Sequence, residues 1–301
     1  MPANLHIAPE LRDAIAEKQP VVALETTIVS HGMPYPDNLA TARALEETVR
    51  AAGAIPATIA VIDGVIRVGI TSSELEFLAS AKGVLKLSRN DLAYAVAKRK
   101  NGATTVAATM ICAHLAGIRV FATGGIGGVH RGASETFDIS ADIEELSRTP
   151  VAVVCAGAKA LLDLPKTLEA LETRGVPVIG YRTDEFPAFW SRTSGLRAPL
   201  RLDFAAEIAA LLQTQRDLGL SAGTLICNPP SEGDEIPAAE IAGHIRKAVA
   251  DADSRAITGK AVTPFILSRV VELTAGRSLR TNIALVKNNA RLAAEIAIQL
   301  T

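Results

Sequence analysis

The chain has 301 residues, of which 49% are hydrophobic and only 4% aromatic, and its formal net charge is −1. This length suffices for one large α/β domain or two smaller ones, with a core built mainly from Ala, Val, Leu and Ile. The near-neutral charge and the lack of a long basic run argue against nucleic-acid binding. No apolar run approaches the ~18 residues of a membrane span, and residues 1–20 lack the basic-then-apolar order of a signal peptide.

The three cysteines, Cys112, Cys155 and Cys227, are far apart in sequence and lie in apolar segments. Buried free thiols in a reducing compartment are the simpler interpretation, and the spacing matches no cysteine-based metal motif. We therefore expect a cytoplasmic enzyme without a nucleic-acid or membrane partner.

The first part of the chain alternates apolar strands with helices. The pattern predicts a helix over 7–18, a buried strand over 21–24, a helix over 39–52 capped by Asp37 and Asn38, two strands within 57–70 joined by a hairpin turn at Asp63-Gly64, a helix opened by Thr71, a helix near 91–100 and a buried helix over 103–116.

The second part continues this alternation. It predicts a strand over 119–123, a glycine-rich loop, a helix capped by Ser140, a strand over 151–155, a long helix that follows AGAK and ends at Arg174, strands over 177–181 and 224–227 with a helix near 202–218 between them, a loop over 228–237, and helices over 237–251, 263–275 and 280–299.

Short buried strands that alternate with helices indicate an α/β protein, a three-layer α/β/α fold with a largely parallel sheet and helical C-terminal additions. We expect one domain over 1–301, with 1–20 as an N-terminal helix and tail and 228–237 as a surface loop. In such sheets ligands bind at the carboxyl ends of the strands. Glu25, Gly124 and Lys159 each follow a predicted strand end.

The loop within RVFATGGIGGVHRGASETFDISAD (119–142) holds five glycines, which suit sharp turns and close approach to a ligand. It matches neither nucleotide motif. His130 stands where a dinucleotide fingerprint has its third glycine, and Ala133 stands where a phosphate loop has lysine. A structural turn and a backbone cradle for a phosphate or sugar both remain open.

Asp138 and Asp142 follow this loop. Acidic residues are common in a first helical turn. Beside a glycine loop, they are also candidate oxygen ligands for a divalent cation, either Mn²⁺ or Mg²⁺.

Lys159 follows the apolar strand VAVVC, close to the start of a predicted helix. Burial and the positive helix end both favour the neutral amine that a Schiff-base lysine needs. The alternative is an ordinary ion pair with Asp163, worth ~0.3–0.5 kcal/mol.

Glu25 has no other acidic or basic side chain within five positions, so burial there would favour the protonated carboxyl of a proton donor. An exposed loop glutamate is the alternative. Lys86 and Arg89 are candidate phosphate ligands or surface charges, while His31 and His130 are candidate proton-transfer groups or ordinary loop histidines.

Six segments together resemble one family, pseudouridine-5′-phosphate glycosidase, also called indigoidine synthase A-like. They are VALETTIVSHGMPYP, KLSRNDL, KNGATTVAATM, VFATGGIGGVHRGASETFDISAD, VVCAGAK and TPFILSRV. The resemblance extends from about Pro20 to Ile298. It implies reversible cleavage of pseudouridine 5′-phosphate to uracil and ribose 5-phosphate, an α/β/α fold, a homotrimer, a divalent metal such as Mn²⁺, and no organic cofactor.

The resemblance also implies roles for individual residues. Lys159 matches the nucleophile that forms an imine with the sugar, and Glu25 matches the proton donor. Asp138 matches the metal ligand, and Lys86 matches a phosphate-site lysine. The remaining substrate-binding positions are Val106 through its backbone, His130, Ser140, Ala141, Asp142 and Asn282.

Two other functions share some of these features. A Schiff-base aldolase acting on another phosphosugar would use the same lysine and phosphate site without a pyrimidine pocket. A nucleotide-binding regulator would use the glycine loop without catalysis.

Overall fold

The structure is a computed structural model that describes residues 4–301. Residues 1–3, part of the expected N-terminal tail, lie outside the described residues. The strands within this range are β1 (Leu5–Ile7), β2 (Val21–Leu24), β3 (Ile55–Ile62), β4 (Val65–Val68), β5 (Leu85–Leu87), β6 (Gly102–Thr104), β7 (Val120–Ala122), β8 (Ala152–Cys155), β9 (Val178–Tyr181), β10 (Leu200–Leu202) and β11 (Thr224–Cys227).

The α-helices in the same range are α1 (Pro9–Ala16), α2 (Asp37–Ala51), α3 (Ser72–Ser80), α4 (Arg89–Ala97), α5 (Val106–Leu115), α6 (Ala133–Thr136), α7 (Ala141–Leu146), α8 (Leu164–Thr173), α9 (Ala205–Asp217), α10 (Ala238–Ser254), α11 (Val262–Leu273) and α12 (Arg277–Gln299). A π-helical turn occupies Ile28–Gly32 and a 3₁₀ turn occupies Gly259–Ala261.

The strands form one mixed sheet in the order β1-β4-β3-β2-β7-β8-β11-β9-β10, with β6 and β5 attached beside β3. All neighbours are parallel except β3 with β4 and β3 with β6. The helices flank this sheet, so the predicted α/β class with a largely parallel sheet is confirmed.

The central strands are buried along their whole length. β2, β8 and β11 read VVAL, AVVC and TLIC, and every residue in them is buried. Such uninterrupted apolar runs are typical of parallel strands covered by helices on both faces. The ends of these buried four-residue strands therefore form the edge of the sheet from which the loops project.

Helices from the middle and from the C-terminal part of the chain pack against the sheet. α5 packs against β2, β3 and β7, and α12 packs against β2, β7 and β8. The main hydrophobic core includes residues from Ile7 to Ala297, while a smaller cluster of buried residues lies around α2 and α3. The C-terminal helix α12 is therefore part of the main layered core.

The hairpin between β3 and β4 is confirmed. Asp63 and Gly64 both have positive φ, 49° and 76°, which is the backbone geometry of a type I′ turn. The three cysteines are buried free thiols, also as expected. Burial raises the pKa of Cys112 to about 12.

Several predicted boundaries were wrong. Leu5–Ile7 is a strand parallel to β4, although the sequence predicted a helix beginning at Ile7. Gly102–Thr104 is a strand as well, although the sequence predicted a helix over 103–116. Thr105 caps α5, so the helix begins only at Val106. Each of these strands has only three residues, so pairing with a neighbour rather than its own pattern decides its structure.

The predicted cap of α2 was also wrong. The helix already begins at Asp37, and the Asn38 side chain is buried within it. Its amide donates to the carbonyls of Val29 at 2.7 Å and Ala79 at 2.9 Å. Asn38 therefore joins the π-helical turn to α3.

The segment 228–237 contains no helix or strand, as predicted, but residues 228–230 and Ile236 are buried. Asn228 is buried and donates to Asn289 on α12, and Ile236 donates its backbone N–H to Trp190. Among residues 4–301 no helix combines the length and apolarity needed to cross a bilayer.

Candidate active site

The carboxyl ends of β2, β7 and β8 open into a cavity of about 340 Å³. The structure brings all ten predicted site residues to its wall: Glu25, Lys86, Val106, His130, Asp138, Ser140, Ala141, Asp142, Lys159 and Asn282. These residues come from distant parts of the sequence, and the parallel sheet collects them at one edge.

Lys159 lies in the turn between β8 and α8. Its backbone N–H donates to Ile126 at 3.1 Å, and its Nζ donates to the carbonyl of Gly125. The alternative ion pair with Asp163 is not formed, because Asp163 caps α8 and pairs with Lys166 at 3.0 Å. Lys159 makes no ion pair with any residue of the described range 4–301.

The helix near Lys159 begins later than predicted. α8 starts at Leu164, so Lys159 is separated from it by a turn rather than placed in its first residues. The expected effect of a positive helix end on Lys159 is therefore weaker, since that field is concentrated at the helix terminus.

Glu25 is the first residue after β2, and both of its carboxyl oxygens have partners. Oε1 is hydrogen-bonded to the hydroxyl of Thr123, and Oε2 to the hydroxyl of Thr27. The Thr27 hydroxyl also lies 2.9 Å from the carbonyl of Thr104. Glu25 is therefore held in a defined orientation, and the alternative of an exposed loop glutamate was wrong.

Lys86, on β5, places a second cation in the cavity. Its pKa is lowered chiefly by burial, and the charge of Lys159 lowers it further. The carboxylates of Asp142 and Glu25 act in the opposite direction. Two amines in a partly buried cavity make it attractive to an anion such as phosphate.

Arg89 does not join this cluster. Its guanidinium is bidentate on Glu145, with one contact of 2.9 Å, and the Glu145 carboxylate is fully buried. Arg89 therefore connects α4 to α7, and the phosphate role considered for it was wrong.

Close packing explains three glycines of the loop. A Cβ at Gly125 would lie 2.6 Å from the Phe189 ring, and one at Gly128 would lie 2.5 Å from Thr167 Oγ1. A Cβ at Gly127 would overlap Ser140. The loop approaches its protein neighbours so closely that only glycine fits without rearrangement.

Several backbone donors of the loop are already engaged. Gly127 N–H donates to Asp142 Oδ2 at 2.8 Å, and Val129 N–H donates to Thr167 at 3.0 Å. Ile126 and His130 donate to the carbonyls of Gly157 and Asp138. These four donors are not available to a phosphate, so the expected backbone cradle is not formed in this part of the loop.

Asp142 is the residue that fixes this loop. Ser140 caps α7 as predicted, accepting from the Asp142 N–H at 3.3 Å. The Asp142 carboxylate is 6% exposed and accepts from Gly127 and, at 3.0 Å, from the N–H of Ala107. Asp142 therefore connects the loop to the first turn of α5, next to Val106.

Asp138 is the best-placed carboxylate for a cation. Its side chain is 45% exposed, and its Oδ2 lies 3.8 Å from Nδ1 of His130. Burial is the main cause of the lowered pKa of His130, which favours the neutral ring. No cluster of three His, Cys, Asp or Glu residues suited to a metal occurs within 4–301. A cation bound at Asp138 would therefore have to take most of its ligands from water and substrate.

Two polar atoms at the cavity have no hydrogen-bond partner within the described chain. They are Oδ1 of Asn282, on α12, and Nε2 of His31, in the π-helical turn. Buried polar atoms are rarely left without a partner, so both are candidates for contact with a bound molecule.

The sequence reasoning did not identify Thr27, Thr123 or Lys260 as site residues. Thr27 stands two positions after Glu25, and Thr123 is the first residue after β7. Their positions near the ends of predicted strands could have identified both threonines as site residues. Lys260 gave no signal, because it reaches the cavity only through the packing of the 3₁₀ turn before α11.

These features define an α/β protein with an enzyme-like cavity in which a lysine amine, an oriented carboxyl and an anion-attracting lysine face a common space. The family model for indigoidine synthase A like proteins matches residues 10–299. The chain therefore belongs to that family.

Curated relatives match over nearly the whole chain. A pseudouridine-5′-phosphate glycosidase of Solibacter usitatus is 70% identical, with 99% of each chain covered. A pseudouridine-5′-phosphate glycosidase of Methylobacterium nodulans is 67% identical, over 98% of this chain and 88% of the relative.

Two solved structures share the fold. The prealnumycin C-glycosynthase AlnA in complex with ribulose 5-phosphate is 38% identical, with a TM-score of 0.92 over 100% of this chain and 98% of that chain. An indigoidine synthase A-like protein from Thermotoga maritima is 36% identical, with a TM-score of 0.90 over 98% and 96% of the two chains.

Proposed function

We propose that the protein is a pseudouridine-5′-phosphate glycosidase, which reversibly cleaves the C–C glycosidic bond to give uracil and ribose 5-phosphate. The observation that carries the proposal is the convergence of Lys159 and Glu25 in one cavity. The names of the relatives at 67–70% identity support the substrate. The ribulose 5-phosphate complex of the related C-glycosynthase supports a phosphopentose site.

The substrate poses a specific chemical problem. Ordinary glycosidases expel an oxygen or nitrogen leaving group between two carboxylates. Here the leaving atom is carbon, and a pyrimidine carbanion leaves only when the bonding electrons have an acceptor. An imine at C1′ of the ring-opened sugar meets that need, and a lysine is the side chain that forms one.

The reaction proceeds in three steps. The neutral amine of Lys159 attacks C1′, the N–C1′ bond forms, the C1′–O4′ bond breaks, and a proton passes from the attacking nitrogen to O4′. The nitrogen lone pair then forms the C=N bond of a protonated imine as the C1′–C5 bond breaks, and C5 of uracil takes its proton from Glu25. Water finally hydrolyses the protonated imine, which releases ribose 5-phosphate, restores the amine and returns one proton to Glu25.

The remaining residues bind and orient the substrate. Lys86 supplies a cation for the phosphate, and the backbone N–H at the start of α5, at Val106, is free of an intrahelical partner. Asn282 offers an unpaired amide oxygen. His130, Ser140, Ala141 and Asp142 line the same cavity as Glu25.

Borohydride trapping tests the role of Lys159. Incubation with ribose 5-phosphate and borohydride should leave one reduced adduct on Lys159, located by peptide mass. Lys159→Arg keeps a cation but forms no imine, so uracil release should fall by at least about a thousandfold. Lys100→Met, at an exposed position, is the control and should retain full activity.

Two outcomes would contradict this function. An adduct on another lysine, or full activity of Lys159→Arg, would show that Lys159 is not the nucleophile. Imine trapping without uracil release from pseudouridine 5′-phosphate would favour the Schiff-base aldolase instead.

The proposed metal is Mn²⁺, with Mg²⁺ as the alternative and Asp138 as its protein ligand. A divalent cation bound there would neutralise charge on the phosphosugar. Calorimetric titration with Mn²⁺ should show binding that Asp138→Asn weakens at least about tenfold. Equal affinity in the two proteins would exclude Asp138 as the ligand.

We also propose a cytoplasmic homotrimer with a single domain and without an organic cofactor. The continuous core from Ile7 to Ala297 supports one domain. Light scattering of the purified protein checks the trimer, and a mass of one or two chains would exclude it.

A further inference from the structure

Thr27 occupies an unusual position between two oxygen acceptors. Its hydroxyl lies within hydrogen-bonding distance of Glu25 Oε2 on one side and 2.9 Å from the Thr104 carbonyl on the other. Thr27 is buried, with 9% of its surface exposed, and it lines the cavity.

A hydroxyl has one hydrogen and therefore donates one hydrogen bond at a time. The Thr104 carbonyl can only accept. When Glu25 carries a proton on Oε2, that proton is donated to Thr27, and Thr27 donates to Thr104. When Glu25 has lost its proton, Thr27 turns its hydrogen to the carboxylate.

The Thr104 carbonyl is held in place for the first of these arrangements. Thr104 donates its backbone N–H to the Thr26 hydroxyl at 2.9 Å and its own hydroxyl to the Ile59 carbonyl at 2.8 Å. Both Thr26 and Thr104 are fully buried. The acceptor of the Thr27 hydrogen is therefore fixed by β3 and β6, independently of Glu25.

Thr123 contacts the other carboxyl oxygen and has a simpler role. Its hydroxyl hydrogen-bonds to Glu25 Oε1, and it shares no hydrogen with the Thr104 carbonyl. Together the two threonines, from the ends of β2 and β7, fix the plane of the carboxyl group.

We propose that Thr27 is a positioning residue whose hydroxyl hydrogen follows the Glu25 proton during C–C cleavage, turning from the Thr104 carbonyl to the new carboxylate. This role rests on the proposed function, in which Glu25 is the proton donor, and adds the Thr27 hydroxyl as the group that supports Glu25. For transfer, the Oε2–H bond turns from Thr27 towards the pyrimidine carbon. As the proton passes to that carbon, the Thr27 hydroxyl turns to Oε2 and donates a charge-assisted hydrogen bond to it. Such bonds are stronger than neutral ones, so the exchange stabilises the state in which uracil departs.

Three variants test this proposal. Thr27→Val removes the hydroxyl with little change in shape, and Thr27→Ser keeps it. Thr109→Val is the matched control, because Thr109 is a buried threonine whose hydroxyl donates to the Thr104 hydroxyl at 2.9 Å and does not contact Glu25.

The readouts separate proton delivery from imine formation. In Thr27→Val, kcat for uracil release should fall about 10- to 100-fold, while KM stays within about threefold. Borohydride trapping of ribose 5-phosphate on Lys159 should stay within about threefold, because an aldehyde forms the imine without protonation of a pyrimidine carbon. Thr27→Ser should recover most of kcat, and Thr109→Val should keep it.

Three results would overturn the proposal. They are a wild-type kcat in Thr27→Val, an equal loss of trapping and cleavage, and a similar loss of kcat in Thr109→Val. A wild-type protein that releases no uracil would instead overturn the proposed function itself. Thermal melting of Thr27→Val and Thr109→Val, each lacking one buried hydroxyl, monitors folding in both variants.

Discussion

At the scale of single residues, the two lysines of the cavity differ in what surrounds their amines. Lys159 Nζ is fixed by the Gly125 carbonyl, whereas Lys86 Nζ contacts the Lys260 carbonyl at 3.3 Å. Burial and the neighbouring Lys159 charge lower the pKa of Lys86, so this ammonium gains from an anionic partner. A phosphate group would add negative charge to that of the Asp142 and Glu25 carboxylates.

Lys86→Met should therefore weaken substrate binding. We expect KM for pseudouridine 5′-phosphate to rise at least about tenfold, because a charge-assisted contact is lost. The wild-type KM should also rise at alkaline pH, and at a lower pH than for an ordinary lysine of pKa about 10.4. Steady-state kinetics against pH check both effects.

Lys98→Met, on the exposed surface after α4, is the control for the loss of a positive charge. A pH-independent KM in the wild-type protein, or the same KM in Lys86→Met, would exclude Lys86 from the phosphate site.

At the scale of elements, the glycine loop is shaped by packing against its neighbours. Gly128 faces Thr167 on α8, and the Thr167 hydroxyl accepts from Val129 while donating to the Asp163 carbonyl. Gly128 does not have a positive φ, so its need for glycine is purely steric. This contact connects the cavity wall to the helix that follows Lys159.

Gly128→Ala should destabilise the protein by about 1–3 kcal/mol, because the new Cβ would overpack Thr167. Denaturant unfolding measures the free energy. The matched control is Gly233→Ala, since a Cβ there meets no atom within 4 Å and the φ is not positive. That control should change the free energy of unfolding by less than about 0.5 kcal/mol. Equal effects of the two substitutions would refute the packing argument.

The sequence predicted the elements that carry their own pattern. The buried runs of β2 and β8, the hairpin at Asp63-Gly64 and the cap at Ser140 are all present. The three-residue strands β1, β5, β6 and β10 were not predicted, because so short a segment contains little periodicity. β7 is equally short but was predicted, because its three residues form an apolar run. Whether these segments form strands depends on pairing with a neighbouring strand, and the local sequence pattern does not identify that neighbour.

The same distinction holds for the candidate site. Glu25 and Lys159 were found because they follow strand ends, but the hydrogen-bond network around Glu25 draws on three separate segments. Thr123 lies 98 positions from Glu25, and the Thr104 carbonyl that competes for Thr27 lies 77 positions away from Thr27. Such long-range hydrogen bonds follow from the order of strands, which the sequence pattern leaves open.

At the scale of the whole molecule, folding places His31 beside Lys86 at the cavity. Burial is the larger cause of the lowered pKa of His31, and the Lys86 charge adds to it. The unfolded chain, with an ordinary histidine pKa of about 6.5, then binds more protons than the folded protein in mildly acidic solution. Linkage requires the folded state to lose stability as pH falls through this range.

The free energy of unfolding should therefore decrease between pH 7 and pH 5, and His31→Gln should make this decrease smaller. Denaturant unfolding at several pH values measures both slopes. His114→Gln, at an exposed position of α5, should leave the slope unchanged. A slope identical in His31→Gln and the wild-type protein would show that His31 does not contribute.

Helix α12 has a consequence for how the protein is made. Asn282 on this helix lines the cavity, and Asn289 donates to the Thr123 carbonyl at 2.8 Å, one residue from the end of β7. Glu25 leaves the ribosome more than 250 residues before this helix, since translation runs from the N-terminus. The growing chain therefore contains Glu25 and Lys159 long before the helix that carries Asn282 has been made. The wall that α12 contributes to the cavity forms only after this helix has been synthesised.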